Sequence, residues 1–373
     1  MKSVHAGLFA LALAAPAVVQ AFPTYVRLGY QHCNACHISP QGGGLLNEYG
    51  RSIDAGESLW PREYEPSDVW GSRITQDARG VLQERVSTST GQPILGKVRA
   101  RMLYRNATEL GKGLRLSATI GAENLSSPRQ RLAYQSPIIP KTYYVTSALI
   151  SYRANRHIEF AAGRDQLPTG INIPDLTSLI RSRNAVGFYD APMQLKLFVQ
   201  GKRYQVTPYA FGRGGPEPAG TVESGAGMRA EFDVLGKGTT LVGINGLRGT
   251  ARNVNRALVG PFVRLGFKSW GILAEHDLTN RDTFRPTRAS FQQNATYAQV
   301  FYFPRGWLWV AATGERLTVE RPYRESALAG RGEATVRFSG NASLQLIAGV
   351  QRNQLTGTLA PNLVILLSLK PVF

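Results

Sequence analysis

The chain has 373 residues and a formal charge of +18, from 43 Lys and Arg against 25 Asp and Glu, with 43% hydrophobic but only 18% charged residues. Mean hydropathy is −0.18, and past the N-terminal leader no run reaches the roughly 18 apolar residues a membrane-spanning helix needs. So low a charge density, with 39 glycines, fits two ordinary globular domains poorly and fits a closed β-barrel well, because alternating strands hide their hydrophobicity from a window average.

The N-terminus reads as a secretory signal: Lys2, an apolar stretch from Gly7 to Val19, and the small-residue site Val19-Gln20-Ala21. The mature chain is expected to begin at Phe22. Export makes nucleic acid an improbable partner for the excess cations and favours outer-membrane lipid and a basic lumen.

Residues 22–66 form a compositionally distinct segment without strand alternation, ending near Pro61 and Pro66. It contains both cysteines of the protein in the run Cys33-Asn34-Ala35-Cys36-His37. A CxxCH pentapeptide is the attachment sequence for c-type haem. Thiols three residues apart share nearly one face of a helical turn and can add to two vinyl groups of one porphyrin, while the adjacent imidazole reaches the iron. Cys33 and Cys36 are therefore the expected anchors of one covalent haem c and His37 its proximal ligand. A thioredoxin-like dithiol or half a zinc site are the other uses of such a pair, but no further cysteine completes a four-thiolate site and no βαβ pattern surrounds it. Some 40 residues cannot bury enough surface to fold alone, so the segment is expected as a plug in or under the barrel lumen. Arg27 and Arg51 are candidates to pair with the propionates.

Residues 67–373 read as the barrel. Met102 and Tyr104 alternate with Arg101 and Arg105, Leu114, Leu116, Ala118 and Ile120 with Arg115, Met228, Ala230 and Phe232 with Arg229, Glu231 and Asp233, and Ala334, Val336 and Phe338 with Glu333 and Arg337. Short turns are expected at 110–113, 154–156, 201–203, 235–238, 268–271, 304–306 and 339–341. Long connections are expected at 126–141, 166–191, 214–223, 249–255, 280–291, 316–328 and 352–360. With a first strand near 74–87 this gives about sixteen strands and both ends periplasmic, provided Asn184 to Tyr189 belong to the long loop. Arginines and acids of the lumenal parity are expected to form an ion-pair lattice. Trp307 and Trp309 beside Tyr297, Tyr302 and Phe303 are expected in an interfacial aromatic girdle. The last strand ends in Phe373, as barrel-assembly signals do.

The leader, a single CxxCH near the mature N-terminus, Pro40, Leu45 or Leu46, Tyr49-Gly50-Arg51 and the barrel together resemble the fused outer-membrane monohaem cytochrome-porins of iron-oxidising and other bacteria. The resemblance implies electron transfer across the outer membrane, from an extracellular donor such as Fe(II) to a periplasmic c-type cytochrome, and hence an Fe(II) oxidase. A passive anion-selective porin with a haem-containing plug is the alternative. No methionine suits the sixth position on iron, since Met102 takes the lipid parity. His157, just after a periplasmic turn and opposite Ile158 and Phe160 in parity, is the candidate distal ligand.

Overall fold

The computed structural model describes residues 23–61, 74–86, 99–123, 143–172, 178–187, 191–212, 223–251, 254–283, 289–320, 324–340, 342–355, 357 and 359–369. The leader, Phe373 and the expected loop at 126–141 lie outside them. The first eight strands are β1 (Ile74–Val86), β2 (Arg99–Gly111), β3 (Leu114–Glu123), β4 (Tyr143–Arg153), β5 (Ile158–Arg164), β6 (Met193–Gln200), β7 (Tyr204–Gly212) and β8 (Ser224–Asp233). They are followed by β9 (Thr240–Ala251), β10 (Val254–Phe267), β11 (Trp270–Thr283), β12 (Ala289–Arg305), β13 (Leu308–Glu320), β14 (Glu325–Ser339), β15 (Ala342–Asn353) and β16 (Leu359–Leu369). Each strand pairs antiparallel with its neighbours in sequence, and β16 pairs with β1, Leu367 opposite Leu82, so the sheet closes into a barrel without an edge.

The alternation sorts the wall inside out. Outward positions are apolar and exposed, Met102 at 68% among them, whereas the inward set is charged and buried, with Arg337 at 1%. Glu231 bridges Arg229 (2.8 Å) and Arg264 across two strands, Arg256 pairs with Glu223 (2.6 Å), and Arg331 reaches both Glu315 (2.8 Å) and Glu333 (2.9 Å). The lattice expected from sequence is present. Removing one member of such a buried pair costs more than the pair itself contributes, because the other charge is left desolvated.

All seven tight turns fall where expected. Several long-loop connections are shorter than expected: β9 runs to Ala251 and pairs with Val254 at the start of β10, and β11 and β12 extend to Thr283 and from Ala289. Backbone pairing continues past the apolar band, where side chains on both faces turn polar and alternation no longer reports a strand.

The aromatic girdle needs correction. Tyr302 faces outward, but Trp309, Tyr297 and Phe303 face the lumen, where they pack with Phe301, Leu273 and Ile180 around Val26. The outward aromatics near the tight turns are instead Tyr152 opposite Phe160, Tyr204 opposite Phe232, and Trp270 opposite Tyr302, a belt of the kind found at membrane interfaces.

Two pieces of chain fill the lumen. At the tight-turn end sits the segment 23–61, which holds no strand and only one regular helix, α1 (Glu48–Gly56). Its far end adds to the wall, Leu59 and Trp60 donating their amides to the Arg337 and Phe338 carbonyls. Beyond it lies the connection between β5 and β6, folded inward with a short helix α2 (Leu179–Arg183). Asn184 is fully buried there, so the chain around it belongs to the loop, as the strand count required. Wall carboxylates hold this loop: Glu275 accepts from the Ile171 amide (2.8 Å) and Arg181 (2.6 Å), and Glu315 accepts from Ser178 Oγ (3.0 Å) and the Leu179 amide (2.6 Å). An acid at the amide end of a helix satisfies groups that have no partner within it.

Candidate functional site

The site begins with one 3-10 turn, Cys33–Ala35. The Cys33 carbonyl accepts from the amides of Cys36 (3.2 Å) and His37 (2.9 Å), which brings the three side chains of the motif onto one short arc. The chain then doubles back: His37 forms an antiparallel bridge with Leu46, and the Ile38 amide donates to the Leu45 carbonyl (3.1 Å). The return is made by Gly42, Gly43 and Gly44 at φ of 79°, 69° and 65°. Three successive left-handed residues are open only to glycine without strain. A Cβ on Gly42 would lie 3.0 Å from Cys33 Sγ, so the glycine also lets the strap lie flat against the first thiol.

Asn47 locks this turn to α1. Its Oδ1 caps the helix by accepting from the Gly50 amide (2.8 Å), while its Nδ2 donates to the carbonyls of Asn34 and Ala35 (3.1 Å each). The Cys36 carbonyl accepts from the Asn47 amide (2.9 Å).

Cys33, Cys36 and His37 all line one cavity, a space of about 760 Å³ that opens to solvent, with Tyr25, Val26, Leu46 and Ile53 as apolar lining and Arg229 and Arg264 on the wall side. His37 is buried, and both cysteines are half-buried free thiols. Burial, and then the neighbouring Cys33, push the Cys36 thiol up to about 11, so it stays protonated in the folded chain at neutral pH. Among the described residues no group of three or more His, Cys, Asp or Glu is placed to hold a metal ion.

Tyr30, also on the cavity wall, meets Tyr49 hydroxyl to hydroxyl, with ring centroids 6.0 Å apart and edge-on. That contact, then burial, holds the Tyr30 phenol up at about 12.

Wall residues seat the segment through its carbonyls. Arg105 donates to Gly44 (2.9 Å), Arg115 to Ile38 (2.8 Å), Gln205 to Pro40 (3.2 Å) and Arg264 to Gln31 (3.1 Å). Lys196 donates to Gln41 Oε1 (2.6 Å) and pairs with Asp165. On the far side of the glycine strap, between it and the β2–β5 wall, lies a second space of about 920 Å³ lined by Ser117, Thr119, Thr146, Gln166 and Asn172. Gln41, Gly42, Gly43 and Asn172 border both spaces.

The other sequence candidates are placed differently. Arg27 pairs with Glu57 (3.2 Å) and stacks on Phe303 at 4.1 Å, and Arg51 Nε donates to the Leu46 carbonyl (3.4 Å); neither lines the cavity. His157 is exposed in the β4–β5 turn, its Nδ1 donating to the Gln200 carbonyl (2.8 Å) and its Nε2 accepting from Arg156 (2.9 Å). It too stands away from the cavity. Alternation gives Arg229 only a lumenal place; the position of Arg229 and Arg264 at the cavity depends on proximity between residue 33 and residues some two hundred positions later, which leaves no local signal.

No family model matches the chain, and no curated protein matches it in sequence. In fold it is similar to the anion-selective porin from Comamonas acidovorans, at a TM-score of 0.60 and 12% identity over 80% of this chain and 100% of that one. It is also similar to a loop L8 deletion mutant of OmpT from Vibrio cholerae (TM-score 0.59, 12% identity, 80% and 100% covered) and to Pseudomonas putida OprB (0.57, 10%, 81% and 94%). The architecture is that of outer-membrane porins.

Proposed function

We propose that this chain is an outer-membrane electron conduit, carrying one covalent haem c in a plug inside a porin-type barrel. The observation that carries the reading is that Cys33, Cys36 and His37 face one cavity between plug and wall. The residues fit the group: two thiols for thioether bonds, an imidazole for the iron, apolar cover from Val26, Leu46 and Ile53, and Arg229 and Arg264 as positive charge toward the propionates. When bound, such a haem supplies a one-electron centre. The chain's own part is to hold it. Asn47 fixes the turn that carries the thiols, the strap closes over Cys33 at Gly42, and Tyr25, Val26 and Leu46 line the cavity.

A bilayer insulates, so a redox centre inside a lumen crossed by arginine–acid pairs such as Arg256–Glu223 and Arg331–Glu315 serves electron passage better than solute flow. Fe(II) is the donor the family resemblance suggests, and a periplasmic c-type cytochrome the acceptor. The second reading, a passive anion-selective porin, is favoured by one feature, the hydroxyl- and amide-lined space beside the strap.

Denaturing gels stained for haem peroxidase activity test the cofactor: the wild-type band should stain, and Cys33→Ala and Cys36→Ala should each lose most or all of the stain. An unstained wild-type band refutes the proposal. Liposomes loaded with a redox dye separate the two functions, since a conduit reduces the dye without leakage and a porin leaks without reduction.

A further inference from the structure

Resting on that reading, we infer that the tight-turn rim of the barrel is a docking surface for a negatively charged soluble redox protein, centred on Tyr49. Six of the seven tight turns present an exposed cation: Lys112, Arg156, Lys202, Lys237, Lys268 and Arg305, in chain order. None of the seven contains an acidic residue. The turns encircle the exposed end of the plug. Gly29 approaches the Lys237 carbonyl, Gln31 Nε2 donates to Lys202 O (2.7 Å), Arg27 to Lys268 O (3.4 Å), and a Cβ on Gly306 would touch Glu57.

Inside this ring the plug shows Leu28 and Tyr49, each more than two-fifths exposed, with Glu48 the exposed acid beside them, while Trp60 stacks on Phe338 at the wall. An apolar, aromatic centre within a rim of one charge is the usual layout of an interface that steers its partner electrostatically. Tyr49 touches Tyr30, and Tyr30 lines the cavity with Cys36 and His37. A partner seated on Tyr49 is therefore separated from the cofactor cavity by two aromatic rings.

The charge names the occupant's chemistry. A second copy of this chain would bring two cationic rings together. Anionic lipid headgroups are the competing occupant, but the outward belt of Tyr204, Trp270 and Tyr302 marks the bilayer boundary, and the turn cations lie beyond it, around the plug.

The test uses the full chain in phosphatidylcholine nanodiscs and cytochrome c as a soluble redox probe in two forms, native and cationic or succinylated and anionic. Surface plasmon resonance is expected to show binding of the anionic form only, weakening by about tenfold or more as salt rises. Tyr49→Ala should weaken it, and the quadruple variant Lys112→Glu/Lys202→Glu/Lys237→Glu/Lys268→Glu should abolish it with heat-modifiable gel migration retained. If the quadruple variant does not assemble, the double variant Lys202→Glu/Lys237→Glu is read in its place. Equal binding of both probes, or undiminished binding of the anionic probe by the charge-reversed variant, overturns the inference. So does a variant that binds this probe normally and loses only its affinity for vesicles containing phosphatidylglycerol, which assigns the ring to lipid. The assay needs no electron transfer. Binding by a protein whose gel band lacks haem stain sinks the cofactor reading and leaves the surface standing, whereas stained protein that does not bind does the reverse.

Discussion

A Cβ on Gly50 would overlap the carbonyl oxygen of Cys36, so α1 touches the CxxCH turn backbone to backbone. Alanine ordinarily gains about 1 kcal/mol over glycine inside a helix. Here the obstacle is main chain and cannot swing away, and overpacking of this kind costs about 1–3 kcal/mol. Gly50→Ala should therefore lower haem stain per unit protein and make residues 23–61 more protease-sensitive, while the barrel keeps its heat-modifiable migration. Undiminished stain and protection would show that the helix need not sit this close.

His37 is buried against the cavity, next to a thiol that can anchor a porphyrin without it. His37→Ala should keep covalent stain in denaturing gels yet change the visible spectrum and the midpoint potential. Identical spectra in the two proteins would remove His37 from the iron.

Glu231 serves two arginines, with Arg229 and Arg264 both lining the cavity. Glu231→Gln strands two buried cations, at a cost on the order of 3–5 kcal/mol for breaking such an arrangement. The variant is expected to unfold at lower temperature and to show greater anion conductance in planar bilayers. A conductance equal to wild type would mean that the plug, and not charge balance, seals this region.

Tyr30 supplies a pH test. Its phenol is raised to about 12, first by the hydroxyl contact with Tyr49 and then by burial, from about 10 in an unfolded chain. A group raised in the folded state contributes stability that is complete below the unfolded value and is lost as pH climbs through the folded one. Attachment of the plug should accordingly weaken between about pH 10 and 12, and in ultraviolet titration Tyr49→Phe should ionise one tyrosine earlier than wild type. Coincident titration curves would count against the pair.

The sequence carried the wall well because a strand's two faces are written in adjacent residues: Arg229 and Glu231 inward, Met228 and Phe232 outward, as the alternation says. Alternation cannot say what the inward face meets. Aromatic side chains suit the bilayer interface, but Tyr297, Phe303 and Trp309 face the lumen in a buried cluster that also takes in Val26, a residue of the plug. The CxxCH motif singles out Cys33, Cys36 and His37 for the same local reason that the turns are legible: its residues are adjacent in the chain. Arg27, Arg51 and His157 suit a haem by chemistry and parity, and in the structure they meet Glu57, the Leu46 carbonyl and the Gln200 carbonyl. Which arginine faces the cavity depends on how a plug sits in a barrel closed by its last strand, and no window of sequence contains that.

The glycine strap sets a thickness. Between the space that holds the thiols and the hydrophilic space beyond it, Gly42 and Gly43 interpose peptide without side chains, flanked by Gln41 and Asn172. Electron tunnelling falls off exponentially with separation, so in the proposed haem-bearing protein a reductant arriving through the lumen would meet at Gly42 and Gly43 a partition only one peptide thick. A bulky residue at Gly43 would widen that gap by a side chain, and the left-handed backbone there disfavours one.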